Sequence, residues 1–351
     1  MSKPSVGMVL ILSLVVTACT AVQTPAVSPA PAASVSTPGV SPTPEASVPA
    51  RTGAIHFGQR GAPGVKDLPA LLAIDSLRAQ GYTVQVTELA KGELVAQAME
   101  QGDIDIANVT PSIAWAAVAK GADISTVAGN YDNVFYLAVK KDFQTCRDLD
   151  GRSLAFSSRQ AVGYILFEEY LKEHCPDVSP QILLIGQSPD RVAALLSGEV
   201  DGAYLELEDW LALARQKPDD FHVILDFGQE YPDFLGSGFC ARGAWAQQHP
   251  EMVKDFARAL ITYQRELASD PKRLQAEIMK LYEIDAAEAQ RLTEAYLAQG
   301  IWDVNGALTY ENIQYTLDEM TKDGALPAGL KAEDVADLSY MNAVLDEIGR
   351  K

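Results

Sequence analysis

The chain has 351 residues, 47 acidic against 28 basic, for a formal net charge of −19. That argues against a nucleic-acid binder, because neutralising phosphates requires a basic face. Hydrophobic residues make up 48% and charged residues 21%, a globular composition, and the roughly 300 residues beyond the N-terminal region suffice for one large domain or two lobes.

Residues 1–18 read as a signal peptide. Lys3 supplies a positive start, an apolar run follows over 6–16, and Thr17-Ala18 places small residues before Cys19. The run is too short to span a bilayer, which needs roughly 20 residues as a helix. Val16-Thr17-Ala18-Cys19 resembles a bacterial lipobox, which implies cleavage before Cys19 and lipidation of it. Residues 19–52 then carry Pro25, Pro29, Pro31, Pro38, Pro42, Pro44 and Pro49 among Ala, Ser, Thr and Val, with Glu45 and Arg51 as the charged residues. Such a segment buries too little apolar surface to fold and reads as a partly extended tether. The order is membrane anchor, stalk, then globule.

From residue 53 strand and helix patterns alternate. Ala54-Ile55-His56-Phe57 reads as strand, followed by a glycine-rich turn over 58–64 and a helix over about 67–80. Strands are expected at 82–89, 104–109, 124–127 and 134–139, with helices at 92–101 and 111–120. The grammar resumes with strands at 153–156, 182–185, 203–207 and 223–225 and helices at 160–174, 189–197 and 209–216. Alternation of this kind specifies an α/β fold with largely parallel sheets. After a strand at 238–241 the chain is helical, over about 249–268, 271–282, 285–299, 310–323 and 331–348. Asp270 before Pro271 signals a helix start, and Gly300 and Gly324 signal stops.

An internal echo suggests two lobes of similar construction. The helix ending at Gln101-Gly102-Asp103 leads into Ile104-Asp105-Ile106-Ala107, and the helix ending at Ser197-Gly198-Glu199 leads into Val200-Asp201-Gly202-Ala203.

In open α/β sheets the ligand crevice lies beyond the carboxyl ends of the strands, where helix N-termini offer unpaired N–H groups. Three strand-to-helix turns carry suitable residues: 58–64 with Gln59 and Arg60, Thr110-Pro111-Ser112, and Ser157-Ser158-Arg159-Gln160. Each alone suits turn-making or capping. Their recurrence points to a polar cleft in which hydroxyls, amides and two arginines converge on an anion. Candidate aromatic walls are Trp115, Tyr131, Tyr164 and Tyr204.

Enzyme signatures fail specific tests. There is no G-x-x-x-x-G-K-[ST] loop, and Gly58, Gly61 and Gly64 lack dinucleotide spacing. His56, His174, His222 and His249 form no metal-ligand spacing. Ser269-Asp270-Pro271-Lys272 matches S-x-x-K without companion motifs and reads as helix capping. No cofactor, metal or catalytic residue is expected.

The run Gly102-Asp103-Ile104-Asp105-Ile106-Ala107-Asn108-Val109-Thr110-Pro111, continuing to Ala119-Lys120-Gly121-Ala122-Asp123-Ile124, resembles the first-lobe signature of substrate-binding proteins of ABC importers for nitrate, aliphatic sulfonates and taurine. That group is also similar to thiamine-precursor binding proteins. Leu149-Asp150-Gly151-Arg152-Ser153-Leu154-Ala155-Phe156, Ser197-Gly198-Glu199-Val200-Asp201 and His249-Pro250-Glu251-Met252-Val253 extend the resemblance in order over 53–345. It implies a type II periplasmic-binding-protein-like fold: lobe one at 53–139 plus 239–351, lobe two at 140–238, and a two-segment hinge between them that closes over a ligand. It further implies capture of a small anion or zwitterion, delivery to an ABC permease and its ATPase, and a monomer tethered outside the membrane. Where relatives often carry aromatic-Glu-Pro, this chain has Tyr204-Leu205-Glu206-Leu207-Glu208-Asp209-Trp210, so Glu206 and Glu208 both stand as acids that could receive an amine, with Glu208 taken as the ligand-binding candidate. The expected ligand set is Gln59, Arg60, Thr110, Ser112, Ser158, Arg159 and Glu208. Two alternatives remain: a thiamine-pyrimidine precursor binding or synthase-like protein, although the synthases' cysteine-rich motif is missing here, and a ligand-sensing lipoprotein.

Export permits disulfides. Cys146 precedes a second-lobe strand and Cys175 ends the helix after it, so both are expected at the end away from the cleft and a Cys146–Cys175 bridge is predicted. Cys240 reads as a buried hydrophobe.

Overall fold

The computed structural model describes residues 51–351 apart from Asn133 and Asp323. The signal peptide, Cys19 and nearly all of the tether lie outside the described residues.

Alternating strand and helix patterns resolve into two five-stranded sheets. The first contains β1 (Ala54–Arg60), β2 (Thr83–Leu89), β3 (Ile106–Val109) and β4 (Ile124–Gly129). The second contains β5 (Phe135–Lys140), β6 (Ser153–Phe156), β7 (Gln181–Leu184), β8 (Gly202–Glu206) and β9 (Phe221–Asp226). Late in the chain, β10 (Gly238–Arg242) returns to the first sheet. The orders are β2-β1-β3-β10-β4 and β7-β6-β8-β5-β9, so the two lobes share one topology. The helix stops that carried the internal echo are both real: Gly102 and Gly198 cap their helices in the left-handed region, at φ 84° and 77°.

One expectation holds with a qualification and another is corrected. The sheets are largely parallel, as expected, with one reversed strand in each: β10 runs antiparallel to β3 and β4, and β5 runs antiparallel to β8 and β9. The cause is connectivity. A strand arriving from the other lobe starts at the cleft edge, whereas β1, β3, β6 and β8 end there. For the same reason the strand expected at 134–139 in lobe one belongs to the second sheet, where its backbone pairs on both sides. The chain crosses between sheets twice, after β4 and before β10, and the crossings are tied by Asn130 N–H to Ser237 O at 3.4 Å.

The first sheet is sealed by aromatic and aliphatic packing of Ile55, Phe57, Ile106, Phe239 and Phe256, all buried. Phe256 belongs to the long helix Pro250–Ser269, whose apolar face covers the sheet. The helices Pro271–Tyr282 and Ala286–Gln299 stack onto it in turn. Asp270 caps the first of these as the sequence implies, accepting from the N–H groups of Lys272 and Arg273. The expected final helix is interrupted: Ala332–Val335 and Ser339–Ile348 are separate, because Ala336 leaves helical geometry to bridge Thr126 beside β4. In the second lobe Ala138, Ala155, Leu195, Leu205 and Leu213 form a compact cluster under the helices. None of the helices among the described residues is long and apolar enough to cross a membrane.

Cys146 and Cys175 are joined by a disulfide with Cα atoms 6.2 Å apart, and Cys240 is free and buried. Burial pushes the Cys240 thiol up to about 12, so it stays protonated. A bridge across this sequence separation removes chain entropy from the unfolded state equivalent to about 3–4 kcal/mol. Protein beginning at residue 53 should therefore show one reactive thiol when denatured without reductant and three after reduction, and reduction should lower Tm. Three thiols before reduction would exclude the bridge.

Candidate functional site

The carboxyl ends of β1, β3, β6 and β8 meet the starts of β5 and β10 around a small cavity between the lobes. It encloses about 60 Å³, well below the roughly 300 Å³ at which pockets for drug-sized molecules begin. The residues that matter chemically are Arg60, Lys66 and Thr110 from the first lobe and Ser158, Tyr204 and Glu206 from the second.

Arg60 is the last residue of β1, opposite Leu89 of β2. The expected glycine-rich turn therefore begins only at Gly61, because parallel pairing carries the strand through Gln59 and Arg60. The Arg60 guanidinium donates from Nη2 to the Tyr131 hydroxyl at 3.3 Å, while its buried Nε has no partner among the described residues. Burial opposes its charge, but Tyr131, Glu206 and Asp67 raise its pKa on balance. Thr110 sits at the N-cap position of helix Pro111–Val118 yet makes no capping bond. Its Oγ1 is buried and unpartnered at the cavity wall, and the residue is 6% exposed. A buried donor left unpaired costs roughly 1–3 kcal/mol, so Arg60 and Thr110 are poised to gain an acceptor.

Lys66 and Glu206 cross the cleft as an ion pair. The Lys66 side chain is 2% exposed and its Nζ donates to Glu206 Oε2, with Asp67 Oδ2 at 3.5 Å. Asp67 is held in turn by Asn108 Nδ2 at 2.8 Å and the Gly64 N–H at 3.0 Å. Burial disfavours the Lys66 ammonium, but Glu206 and Asp67 more than offset it and hold its pKa well above the ordinary range. Burial likewise disfavours the Glu206 carboxylate, and Lys66, then Arg60 and Arg191, hold its pKa below the usual value. Arg191, which also lines the cavity, donates from Nε to the Tyr204 carbonyl and from Nη1 to the carbonyls of Ile185 and Gly186. Tyr204 forms an aromatic wall, with its ring centroid 5.0 Å from Phe135 and 5.7 Å from Phe156. Gly163 permits this packing, since a Cβ there would lie 2.1 Å from the Tyr204 ring.

The remaining expected residues lie elsewhere. Gln59 is buried beneath the site, where its Oε1 accepts from Asn108. Ser112 donates to the Gln160 carbonyl at 2.8 Å, a contact between lobes rather than to the cavity. Arg159 is exposed and lies over the Tyr164 ring at 5.1 Å. The helix expected from residue 160 starts at Val162, which leaves Arg159 on a loop that turns outward. Glu208 does not line the 60 Å³ cavity but lines, with Glu206 and Ser188, the adjoining space of about 740 Å³ between the lobes, and it accepts from Tyr282 and Tyr296. Burial and the neighbouring Glu206 raise its pKa. Trp115 is core, donating to Thr126 Oγ1 at 3.0 Å. Among the described residues Glu173, His174 and Glu230 come together as potential metal-ligating groups, all exposed and none lining the cavity.

The expected set did not include Lys66, and it named Glu208 where the smaller cavity is lined by Glu206. A signal for Glu206 was available, because eight residues beyond Gly102 lies Thr110 and eight beyond Gly198 lies Glu206. The internal echo thus pairs the two strand ends that face each other across the cavity.

Two lobes of matched topology, joined by two crossings and enclosing a small polar cavity at their strand ends, define a ligand-binding protein of the periplasmic type. The model of the family described as "ABC transporter, phosphonate, periplasmic substrate-binding protein" matches residues 75–294, and the chain belongs to that family. The taurine-binding periplasmic protein of Escherichia coli K12 is 26% identical over 199 residues, covering 55% of this chain and 60% of the relative. The alkanesulfonate-binding protein of Xanthomonas axonopodis pv. citri, solved with MOPS bound, superposes with a TM-score of 0.63 at 18% identity, covering 80% of this chain and 97% of that one. The periplasmic nitrate-binding protein of Synechocystis PCC 6803 superposes with a TM-score of 0.69 at 13% identity, over 84% and 89%.

The Lys66–Glu206 pair carries a definite pH dependence. The folded pKa of Glu206 lies below its ordinary value of 4.5, so the stabilisation is present above that value and is lost as pH falls through the folded one. Glu206→Gln should lower stability at pH 7.5 by about 2–3 kcal/mol, below the larger losses for a wholly enclosed pair because Asp67 remains beside Lys66. Thermal unfolding across pH 3–8 should show this difference shrinking in acid.

Proposed function

We propose that this chain is the substrate-binding lipoprotein of an ABC importer, tethered outside the membrane through Cys19 and capturing a small sulfonate-like anion or zwitterion. The observation that carries the reading is the pair of unpartnered buried donors, Arg60 Nε and Thr110 Oγ1, at one small cavity between two lobes. An anionic head group accepts from both and from the Ser158 hydroxyl, which lines the same wall. Lys66 is neutralised by Glu206 and Asp67, and the Nε and Nη1 of Arg191 go to carbonyls, so Arg60, whose buried Nε has no partner, is the wall cation assigned to the ligand, with Lys91 lining the same cavity. When the ligand carries an ammonium, Glu206 receives it at the second-lobe wall.

The site performs no chemistry on its cargo. Closure of the lobes presents the loaded form to a permease, whose ATPase drives release inward, and the protein acts as a monomer. The names of the similar proteins support sulfonates and nitrate as the first compounds to test.

Titration calorimetry of residues 53–351 with taurine, ethanesulfonate, nitrate and methylphosphonate should reveal saturable 1:1 binding of at least one of them, recovered unchanged. Arg60→Met, which keeps the buried stem, should weaken binding about 10- to 100-fold, as expected for losing a charge-assisted hydrogen bond of roughly 1.5–3 kcal/mol. Equal affinity in the variant would remove Arg60 from the site.

A further inference from the structure

We propose that Glu208 is the positioning residue of a latch between the lobes, gripped by Tyr282 and Tyr296, and that this latch sets how tightly the site holds its ligand. The proposal rests on the binding-protein reading above, since a latch matters only if the lobes open and close.

Glu208 belongs to helix Leu207–Gln216, which packs on β5 and β8 of the second sheet. The tyrosines come from the C-terminal helices of the first lobe, Tyr282 at the end of one and Tyr296 within the next. Glu208 Oε1 accepts from the Tyr282 hydroxyl at 2.9 Å, and Oε2 accepts from the Tyr296 hydroxyl. Both carboxylate oxygens are therefore used, and both donors lie across the lobe boundary. None of the three residues lines the 60 Å³ cavity, whereas Glu208 and Tyr282 line the adjoining space of about 740 Å³ between the lobes, so the contact ties the lobes together beside the small cavity rather than within it.

The latch is wired to the cavity through a ring of contacts. Tyr296 is fully buried and stacks on Trp302, with ring centroids 6.2 Å apart at an interplanar angle of 11°. The Trp302 indole N–H donates to the Lys66 carbonyl at 3.1 Å, and the Lys66 ammonium pairs with Glu206. Glu206 ends β8, and the chain reaches Glu208 two residues later. The ring starts and ends on the second lobe and passes through the first, so moving Glu206 relative to Lys66 strains the Glu208 grip as well. Coupling of this kind needs discrete packed contacts rather than distance alone.

Gly64 makes the close approach possible. Its backbone is extended, at φ −109° and ψ −172°, a geometry that alanine adopts freely. A Cβ there would nonetheless sit 2.5 Å from Glu208 Oε1, 3.1 Å from Lys66 Nζ and 3.4 Å from the Tyr282 hydroxyl. Glycine at this position therefore leaves room for the Glu208 carboxylate and the Lys66 ammonium, which a methyl group would displace. The exposed pair Arg215–Glu288 flanks the same boundary and, in solvent, contributes little.

The test uses residues 53–351 with fluorescent labels at Gln101→Cys and Glu199→Cys, the exposed helix ends of the two lobes. Tyr282→Phe/Tyr296→Phe keeps both rings and removes both donors, and Gly64→Ala keeps every polar group while displacing Glu208. Each should shift the label-distance distribution of ligand-free protein toward the open form. Each should weaken binding of taurine or ethanesulfonate about 5- to 30-fold through faster dissociation, because apparent affinity scales with the competent fraction. Glu208→Gln, which retains one acceptor oxygen, should fall between these and the parent. Unchanged distances in both variants overturn the latch, as do shifted distances with unchanged dissociation. A lower Tm with unchanged distances indicates a merely structural contact and also overturns it. Should neither probe bind the parent protein, the distances still decide the latch while the anion reading fails. If Gly64→Ala does not fold, the phenylalanine variant decides alone.

Discussion

The buried Lys66–Glu206 pair is the constraint around which the two lobes are arranged. Desolvating an ammonium and a carboxylate is costly, and the cost is offset only when both are enclosed with good geometry. Lys66, whose side chain is 2% exposed in the paired arrangement, would keep Asp67 as its nearby counter-charge if Glu206 moved away. The pair therefore acts less as a source of net stability than as a register pin. It specifies which residue of β8 faces which residue of the first-lobe loop, and through that it sets the shape of the cavity.

A second consequence concerns charge. The whole chain carries −19, a field that opposes the approach of an anion at long range. At physiological ionic strength the Debye length is about 8 Å, so most of that field is screened outside the cleft. Inside, the local balance differs. Acids and bases along the wall largely cancel one another, and Arg60 retains donor capacity in a setting with little water. The electrostatics of the cavity are thus set by a few oriented groups at short range rather than by a basic surface.

Much of the architecture was legible because it depends on local periodicity and turn chemistry. Strand-helix alternation, the left-handed glycine stops at Gly102 and Gly198, and the Asp270-Pro271 cap are all nearest-neighbour effects, and they stand in the structure where the pattern placed them. The direction of β5 and β10 was not legible, because strand polarity in a sheet is decided by where the chain re-enters after crossing. The site was legible only in part. Arg60, Thr110 and Ser158 lie at strand ends and line the cavity. Ser112 and Arg159 share the same local grammar, but a helix that starts two residues late and a serine that reaches a carbonyl take them elsewhere.

The sequence by itself determined an acidic α/β chain with twin lobes, a cleft at the strand ends and a helical C-terminal third, because apolar periodicity, caps and glycine stops act over a few residues. Only the tertiary structure decided that Glu206 faces the cavity while Glu208 turns to Tyr282 and Tyr296, and that Lys66 is the cation between them. Two glutamates two residues apart are equivalent to any local rule. What separates them is the environment at each, a lysine brought from 140 residues upstream for Glu206 and tyrosines from 74 and 88 residues downstream for Glu208.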